Sequence, residues 1–230
     1  MRILILLCSF LFALFGLPPA KAQAPAKAAT ARNWTNSVVM LPTGGIAVGN
    51  PMARVQLVEW ASYTCSHCAA FARDAKPELT ALIRSGRVRV EYRTLPRDAL
   101  DLTAAVLARC GGANRFLAAH DAIFAQQTAM LDKAEAFAAT PAAQQPTPTI
   151  ARRLEQLATA TGLRALLRGH GLDDAQMTRC LNDEPLHKRV IAIAEAAQAT
   201  GVEGTPSFEV NGKKVEAHDW ATLKPFLTAS

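Results

Sequence analysis

The sequence has few aromatic residues, no cluster of charges of one sign and no long apolar run. Aromatic residues make up 6% of the 230 residues, and the formal net charge is +6. Basic and acidic residues are scattered along the chain, which argues against a nucleic-acid-binding stripe or a polybasic membrane segment. The apolar run at residues 3–17 is shorter than the roughly 20 residues that a membrane-spanning helix needs. We therefore expect a soluble protein that does not bind nucleic acid.

The N-terminus has the pattern of a secretory signal. Arg2 precedes the apolar run, and the Ala-Lys-Ala sequence at residues 20–22 fits a cleavage site. We predict that residues 1–22 are a cleaved signal peptide, that residues 23–35 are a flexible lead and that the protein is periplasmic. An uncleaved membrane anchor is the alternative. Cleavage would lower the net charge to +4 and would remove Cys8.

Two of the remaining cysteines are three positions apart. Cys65 and Cys68 lie between a β-rich stretch, residues 55–61, and a stretch with helical periodicity, residues 69–84. At the N-terminus of a helix, free N–H groups and the helix dipole stabilise a thiolate. Cys65 is therefore a candidate nucleophile, and Cys68 is within reach to resolve a mixed disulfide. The pattern indicates a redox-active disulfide.

The other two cysteines suggest a structural role. Cys110 and Cys180 lie on predicted helices about 70 residues apart. In an oxidising compartment we expect them to form a disulfide, and two separate buried thiols are the alternative. A Cys-x-x-Cys pair can also be half of a zinc site, but a structural zinc site needs four ligands. The sequence has no second Cys-x-x-Cys and no His-x-x-x-His, so we predict no metal.

The order of predicted elements defines the fold class as α/β. A strand at residues 54–61, the Cys-bearing helix and an alternating strand at residues 88–92 form a β-α-β unit with parallel strands. The sequence Asn211-Gly212 indicates a β-hairpin near the end of the chain. An alanine-rich block lies between the β-α-β unit and the hairpin, and it contains an exposed linker at 141–149. Its predicted helices are 101–110, 114–126, 150–161, 173–182 and 184–199.

This order predicts a thioredoxin fold with an inserted helical subdomain. The first part of the fold, with the Cys-x-x-Cys pair, spans residues 36–100, and the helical insertion spans residues 101–199. The second part, residues 200–230, contains the hairpin and a last helix near residues 218–227.

Two motifs lie about 140 residues apart in the order typical of one family. They are V-E-W-A-S-Y-T-C-S-H-C at residues 58–68 and G-V-E-G-T-P-S-F-E-V-N-G at residues 201–212. The chain resembles the DsbA family of bacterial thiol–disulfide oxidoreductases over roughly residues 36–227. The resemblance implies a dithiol oxidase that donates its disulfide to exported proteins with free cysteines. A quinone-linked membrane partner would reoxidise it, and no metal or organic cofactor is implied.

The resemblance also implies roles for the cysteines and for the loop around Pro206. Cys65 is expected to be an exposed nucleophile, and Cys68 is expected to be less exposed. Pro206 is expected to follow a cis peptide bond, to face the cysteines and to hold a substrate backbone as an added strand. Thr205 borders the sulfurs and can tune the thiolate with its hydroxyl or its N–H group.

Two further residues have roles that the sequence leaves open. Glu59 lies in an otherwise apolar strand, where a charge is costly unless it is paired or functional. The resemblance places it beneath the cysteines as a proton relay for Cys68, and a solvated glutamate is the alternative. His67 can favour the thiolate of Cys65, or it can be a surface residue. Strongly oxidising members commonly have proline at the position of Ser66, so the redox potential stays open.

Two other functions are compatible with the same residues. A reductase or isomerase would use the reduced cysteine pair, and a peptide-binding chaperone would use the groove beside Pro206. Isomerases of this fold usually carry an N-terminal dimerisation domain. Only about 30 residues of the mature chain precede the first main strand. We therefore expect a monomer and favour the oxidase.

Overall fold

In the computed structural model, which describes residues 32–228, six strands form one mixed sheet. The predicted signal peptide and most of the predicted lead lie outside these residues. Across the sheet the strands follow the order β1-β2-β4-β3-β5-β6. The strands are β1 Val38–Met40, β2 Ile46–Val48, β3 Val55–Ala61, β4 Val88–Thr94, β5 Ser207–Val210 and β6 Lys213–Val215.

The helices of the described part include one long helix after β3, a block between β4 and β5, and one helix at the end. The helix after β3 is α1 Ser66–Arg84, and the last is α10 Trp220–Thr228. The block consists of α2 Ala99–Cys110, α3 Ala113–Ala125, α4 Gln127–Ala138, α5 Pro141–Gln144, α6 Ile150–Ala160, α7 Leu163–Arg168, α8 Asp174–Leu181 and α9 Glu184–Ala199.

The predicted thioredoxin fold is confirmed. Strands β3 and β4 are parallel and are connected by α1, whereas β5 pairs antiparallel with β3 on its other side. The hairpin turn lies at Asn211 and Gly212, which have φ angles of 51° and 76°. Both residue types tolerate the positive φ that a two-residue hairpin turn requires.

Strand β3 is the centre of the molecule because both of its faces are covered. Leu57 belongs to the main hydrophobic core, which also contains Phe71 of α1. Trp60 points to the opposite face and packs with Ile193 of α9. Alternate residues of a strand point to opposite faces, so two different helices bury one strand. The carboxyl end of β3 therefore has a fixed position, and the cysteine pair follows it directly.

Several elements differ from the sequence-based expectation. Residues 34–36 form a short 3-10 helix that overlaps the end of the segment predicted as a flexible lead, and Asn33 caps it. The segment predicted as a linker contains α5, which Thr140 caps and which has proline in its first turn. A capping threonine before proline is a helix-start signal that the prediction missed. Strand β2, α4 and α7 were not predicted. With three residues, β2 is too short to show a clear alternation.

Candidate active site

The two sequence motifs meet at the carboxyl end of β3. Cys65 is the N-cap residue of α1, and Trp60 of β3 pairs with Ser207 of β5. This register places Pro206, which precedes β5, opposite the end of β3. The Thr205–Pro206 peptide bond is cis, as expected. The Cys65 thiol donates a hydrogen bond to the carbonyl oxygen of Thr205 at 3.2 Å, so the two motifs are in direct contact.

Cys65 and Cys68 both carry free thiols. Cys65 is 6% exposed and Cys68 is 0% exposed. The expected order of exposure is confirmed, but the expectation of an exposed Cys65 is wrong, because Thr205 lies against its sulfur.

The two thiols differ strongly in acidity. Burial opposes ionisation of Cys65, but hydrogen bonds from Thr205, Cys68 and the His67 backbone together lower its pKa below the usual value. Burial raises the pKa of Cys68 well above the usual value, although a backbone hydrogen bond from Ser62 opposes the shift. Cys65 is therefore the thiol that ionises first, as a nucleophile must.

His67 reaches the site through its backbone. Its N–H group is one of the donors that lower the pKa of Cys65, whereas its side chain is exposed. The structure describes no hydrogen bond of the His67 imidazole with another residue. The effect of this imidazole on the thiolate therefore stays a prediction.

The loop between β3 and α1 is tied to the start of the helical insertion by Asp101. This residue is 0% exposed, and its carboxylate accepts hydrogen bonds from the Ser62 hydroxyl (2.5 Å), the Tyr63 N–H (2.8 Å) and the Arg97 N–H (3.2 Å). Burial raises its pKa to about 6, and these hydrogen bonds oppose the shift. Sequence reasoning missed Asp101, although an acid inside the apolar start of a helix was an available signal.

A second contact to the same loop comes from Gln127 at the start of α4. Its side-chain amide donates to the carbonyl oxygens of Tyr63 and Cys65, both at 2.9 Å. The Tyr63 hydroxyl is 3.0 Å from Nδ1 of His120, which is buried and has its pKa lowered by burial to about 4. No sequence pattern assigned a role to His120 or to Gln127. Neither residue lies in a motif that would have revealed it.

Glu59 is buried beside a cavity of about 200 Å³ between the sheet and helices α1 and α3. It is 2% exposed, so the solvated alternative is wrong, and its Oε1 atom has no hydrogen-bond partner among the described residues. Burial, and to a lesser extent the charge of Asp121, raises its pKa to about 8. Asp121 and Lys76 also line the cavity and form an ion pair at 2.9 Å. Glu59 is therefore placed to hold a proton at neutral pH.

The remaining cysteines form the expected disulfide. Cys110 at the end of α2 is bonded to Cys180 in α8, and the two residues are 70 positions apart in the sequence. Between residues 32 and 228, no cluster of three or more histidine, cysteine or acidic residues is arranged to bind a metal ion. None of the helices described in this range has the length and apolar character needed to cross a membrane.

The sheet, with the paired thiols of Cys65 and Cys68 beside a cis-proline, is that of a thioredoxin fold. The family model described as thioredoxin matches residues 42–229, and the chain belongs to this family.

Curated relatives and solved structures agree with this assignment. A protein of Rickettsia bellii (29% identity, 74% of this chain) and one of Rickettsia conorii (31% identity, 73% of this chain) are named protein-disulfide oxidoreductases. The chain spans only 58% and 53% of the lengths of these two relatives.

Among solved structures, a protein-disulfide isomerase from Novosphingobium aromaticivorans has a TM-score of 0.73 and 32% identity. The match covers 80% of this chain and 95% of that one. Wolbachia pipientis alpha-DsbA1 shares the fold, with a TM-score of 0.59, 22% identity, and coverage of 77% of this chain and 81% of that one. The resemblance to DsbA proteins is confirmed at the level of the fold.

Proposed function

We propose that this protein is a periplasmic dithiol oxidase, which donates the Cys65–Cys68 disulfide to exported proteins through a mixed disulfide. The observation that carries the proposal is the placement of the thiols: Cys65 caps α1 and contacts Thr205 before the cis-proline, whereas Cys68 is fully buried. In this position hydrogen bonds lower the pKa of Cys65, and a lower pKa stabilises the thiolate of the reduced enzyme. A stable reduced form makes the disulfide a stronger oxidant.

The reaction would proceed in two steps. A substrate thiolate attacks Sγ of Cys65 in the oxidised enzyme, and the electron pair of the broken S–S bond goes to Cys68. A second substrate thiolate then attacks the substrate sulfur of the mixed disulfide, which releases Cys65 as a thiolate and oxidises the substrate. Reoxidation of the cysteine pair would require an electron acceptor, for which we propose a membrane partner.

Glu59 and Pro206 would support these steps. Glu59 is buried between the sheet and α1 with its proton retained at neutral pH, so it can supply a proton to Cys68 as that sulfur leaves. The peptide bond before Pro206 lies against the Cys65 sulfur, so a bound substrate backbone would be held beside the reacting atoms. We expect the enzyme to act as a monomer.

An isomerase or reductase is the second candidate, because the solved relative with 32% identity is named a protein-disulfide isomerase. The redox equilibrium of the Cys65–Cys68 pair with glutathione separates the candidates. In this fold, strong oxidants have reduction potentials of about −120 mV, and reductants have reduction potentials of about −270 mV. We expect a value close to the oxidising end. A value near the reducing end would overturn the oxidase proposal.

A trapping experiment tests the mechanism independently of the potential. Cys68→Ser cannot form the internal disulfide, but its Cys65 thiolate can attack a disulfide of an oxidised exported protein, and one substrate sulfur leaves as a thiolate. The resulting mixed disulfide lacks the second enzyme thiol that would release Cys65, so it should accumulate. Cys65→Ser is the matched control, because it lacks the proposed nucleophile. Equal trapping by both variants would contradict the assignment of Cys65.

A further inference from the structure

Asp101 is a buried acid that the proposed chemistry does not use. It lies in the first turn of α2, at the start of the helical insertion, yet its carboxylate contacts the loop that precedes Cys65. One carboxylate oxygen accepts from the Tyr63 N–H, and the other accepts from the Ser62 hydroxyl and the Arg97 N–H. All three donors lie outside α2. A buried carboxylate is costly, and here its hydrogen bonds tie two separate segments of the fold together.

The Ser62 hydroxyl is the centre of this network. It donates to Asp101 at 2.5 Å, and its oxygen accepts from the Nε–H group of Arg97 (3.0 Å) and from the N–H of Thr64 (3.2 Å). The Thr64 hydroxyl lies 3.2 Å from the same oxygen. The loop is further fixed by the N–H of Cys65, which donates to the carbonyl oxygen of Ser62 at 3.2 Å.

Ser62 connects this network to the start of α1. Cys65 is the N-cap residue of that helix, and its N–H group donates to the carbonyl oxygen of Ser62. The Ser62 backbone also contributes a hydrogen bond that opposes the rise in the pKa of Cys68. The position of Ser62 therefore affects both cysteines.

We infer that Asp101 is a positioning residue for the Cys65–Cys68 pair, which clamps Ser62 and thereby fixes the backbone that places both cysteines at the start of α1. The inference rests on the proposed function. In the first step an attacking thiolate forms a bond to Cys65, the Cys65–Cys68 bond breaks, and its electron pair becomes the Cys68 thiolate. A better stabilised leaving thiolate leaves faster. The helical insertion therefore contributes directly to the reactivity of the thioredoxin part.

The test is the rate at which dithiothreitol reduces the oxidised full-length protein. In Asp101→Asn, the side-chain oxygen can still accept from the Tyr63 N–H. The new NH₂ group then faces the Arg97 N–H, and two donors cannot form a hydrogen bond with each other. We expect Asp101→Asn to slow the reduction about tenfold, which corresponds to loss of roughly one hydrogen bond to a charged group. Thr103→Ala is the control, because Thr103 is buried in the same helix but bonds only to Ala99, at 2.7 Å.

A second variant keeps the test decisive if Asp101→Asn does not fold. Ser62→Ala removes the hydroxyl link, and we expect reduction to slow by a few-fold. In the double variant the two effects should be clearly less than additive, because both act through one contact.

The outcomes separate this inference from the proposed function. The clamp would be overturned if Ser62→Ala and Asp101→Asn were reduced at the wild-type rate. It would also be overturned if Thr103→Ala slowed the reduction as much as they do. Reduction by dithiothreitol does not depend on the biological substrate. A wild-type protein that fails to oxidise reduced peptides, with the clamp effect intact, would therefore overturn the proposed function alone.

Discussion

At the scale of single residues, the site gives two identical side chains different acidities. Cys65 lies at the cap of α1, where donors surround its sulfur, whereas Cys68 lies inside the first turn and is fully buried. The donors lower the pKa of Cys65, and burial raises that of Cys68. The chemical asymmetry therefore follows from the position of each residue at the helix start, not from its residue type.

The contribution of Thr205 to this asymmetry can be measured. Thr205→Val removes the side-chain hydrogen bond that lowers the pKa of Cys65. Because one such bond contributes about 0.5–1.5 kcal/mol, we expect the pKa of Cys65 to rise by up to about one unit. The pH dependence of Cys65 alkylation reports this pKa. Ser207→Ala, which removes a contact to Gly204 in the same loop, should leave it unchanged. An unchanged pKa in Thr205→Val would exclude the side chain as a donor.

Glu59 gives a prediction about stability and pH. Burial raises its pKa from 4.5 to about 8, so between these values the folded protein holds a proton that the unfolded chain has lost. The free energy of unfolding therefore falls as pH rises through this window, by up to about 1.4 kcal/mol per pH unit. Glu59→Gln carries no titrating group at this position, so this pH-dependent fall in the free energy of unfolding should be absent from it.

Urea unfolding at about pH 5 and about pH 8 measures this difference. Groups such as Asp101 and His120 titrate in both proteins, so their contributions cancel in the comparison. We expect the stability of Glu59→Gln to decline less between the two pH values than that of the wild type. An equal decline in both proteins would mean that Glu59 is already ionised in the folded state at the lower pH.

At the scale of elements, the Cys110–Cys180 disulfide joins α2, which carries Asp101, to α8. A bridge across 70 residues restricts the unfolded chain, and the typical stabilisation is about 2–4 kcal/mol. We expect the variant with alanine at both positions to lose this amount in urea unfolding, whereas the Cys65–Cys68 pair should still react with dithiothreitol. A variant that keeps full stability would show that packing alone holds α2 and α8 together.

Elements with a strong local signal could be predicted from the sequence. The change from the β-rich stretch of β3 to the helical period of α1 located Cys65 at the helix start, and Asn211-Gly212 located the hairpin. Contacts that depend on tertiary placement could not be predicted. Asp101 reaches Ser62 across 39 positions, and no local pattern encodes this contact. Glu59 was ambiguous because both half-exposed strands and buried sites can carry a glutamate.

At the scale of the whole molecule, the helical insertion and the sheet share one hydrophobic core. Val90 of β4, Leu107 of α2 and Leu154 of α6 belong to the same buried cluster. The three tryptophans, Trp34, Trp60 and Trp220, all lie outside the insertion, so their fluorescence reports on the thioredoxin part. Far-ultraviolet circular dichroism is dominated by helices, and most helices of the described part belong to the insertion. The two signals therefore follow different halves of one core.

A continuous core predicts that both halves unfold together. Leu154 is 0% exposed, so Leu154→Ala should lower the free energy of unfolding by about 2–5 kcal/mol. Although this change lies in the insertion, we expect it to shift the fluorescence midpoint and the dichroism midpoint equally. Ile150→Ala in the same helix is the control, because Ile150 is 48% exposed and should change stability by less than about 0.5 kcal/mol. A shifted dichroism midpoint with unchanged fluorescence would show that the insertion unfolds separately, and the clamp at Asp101 would then be lost before the sheet unfolds.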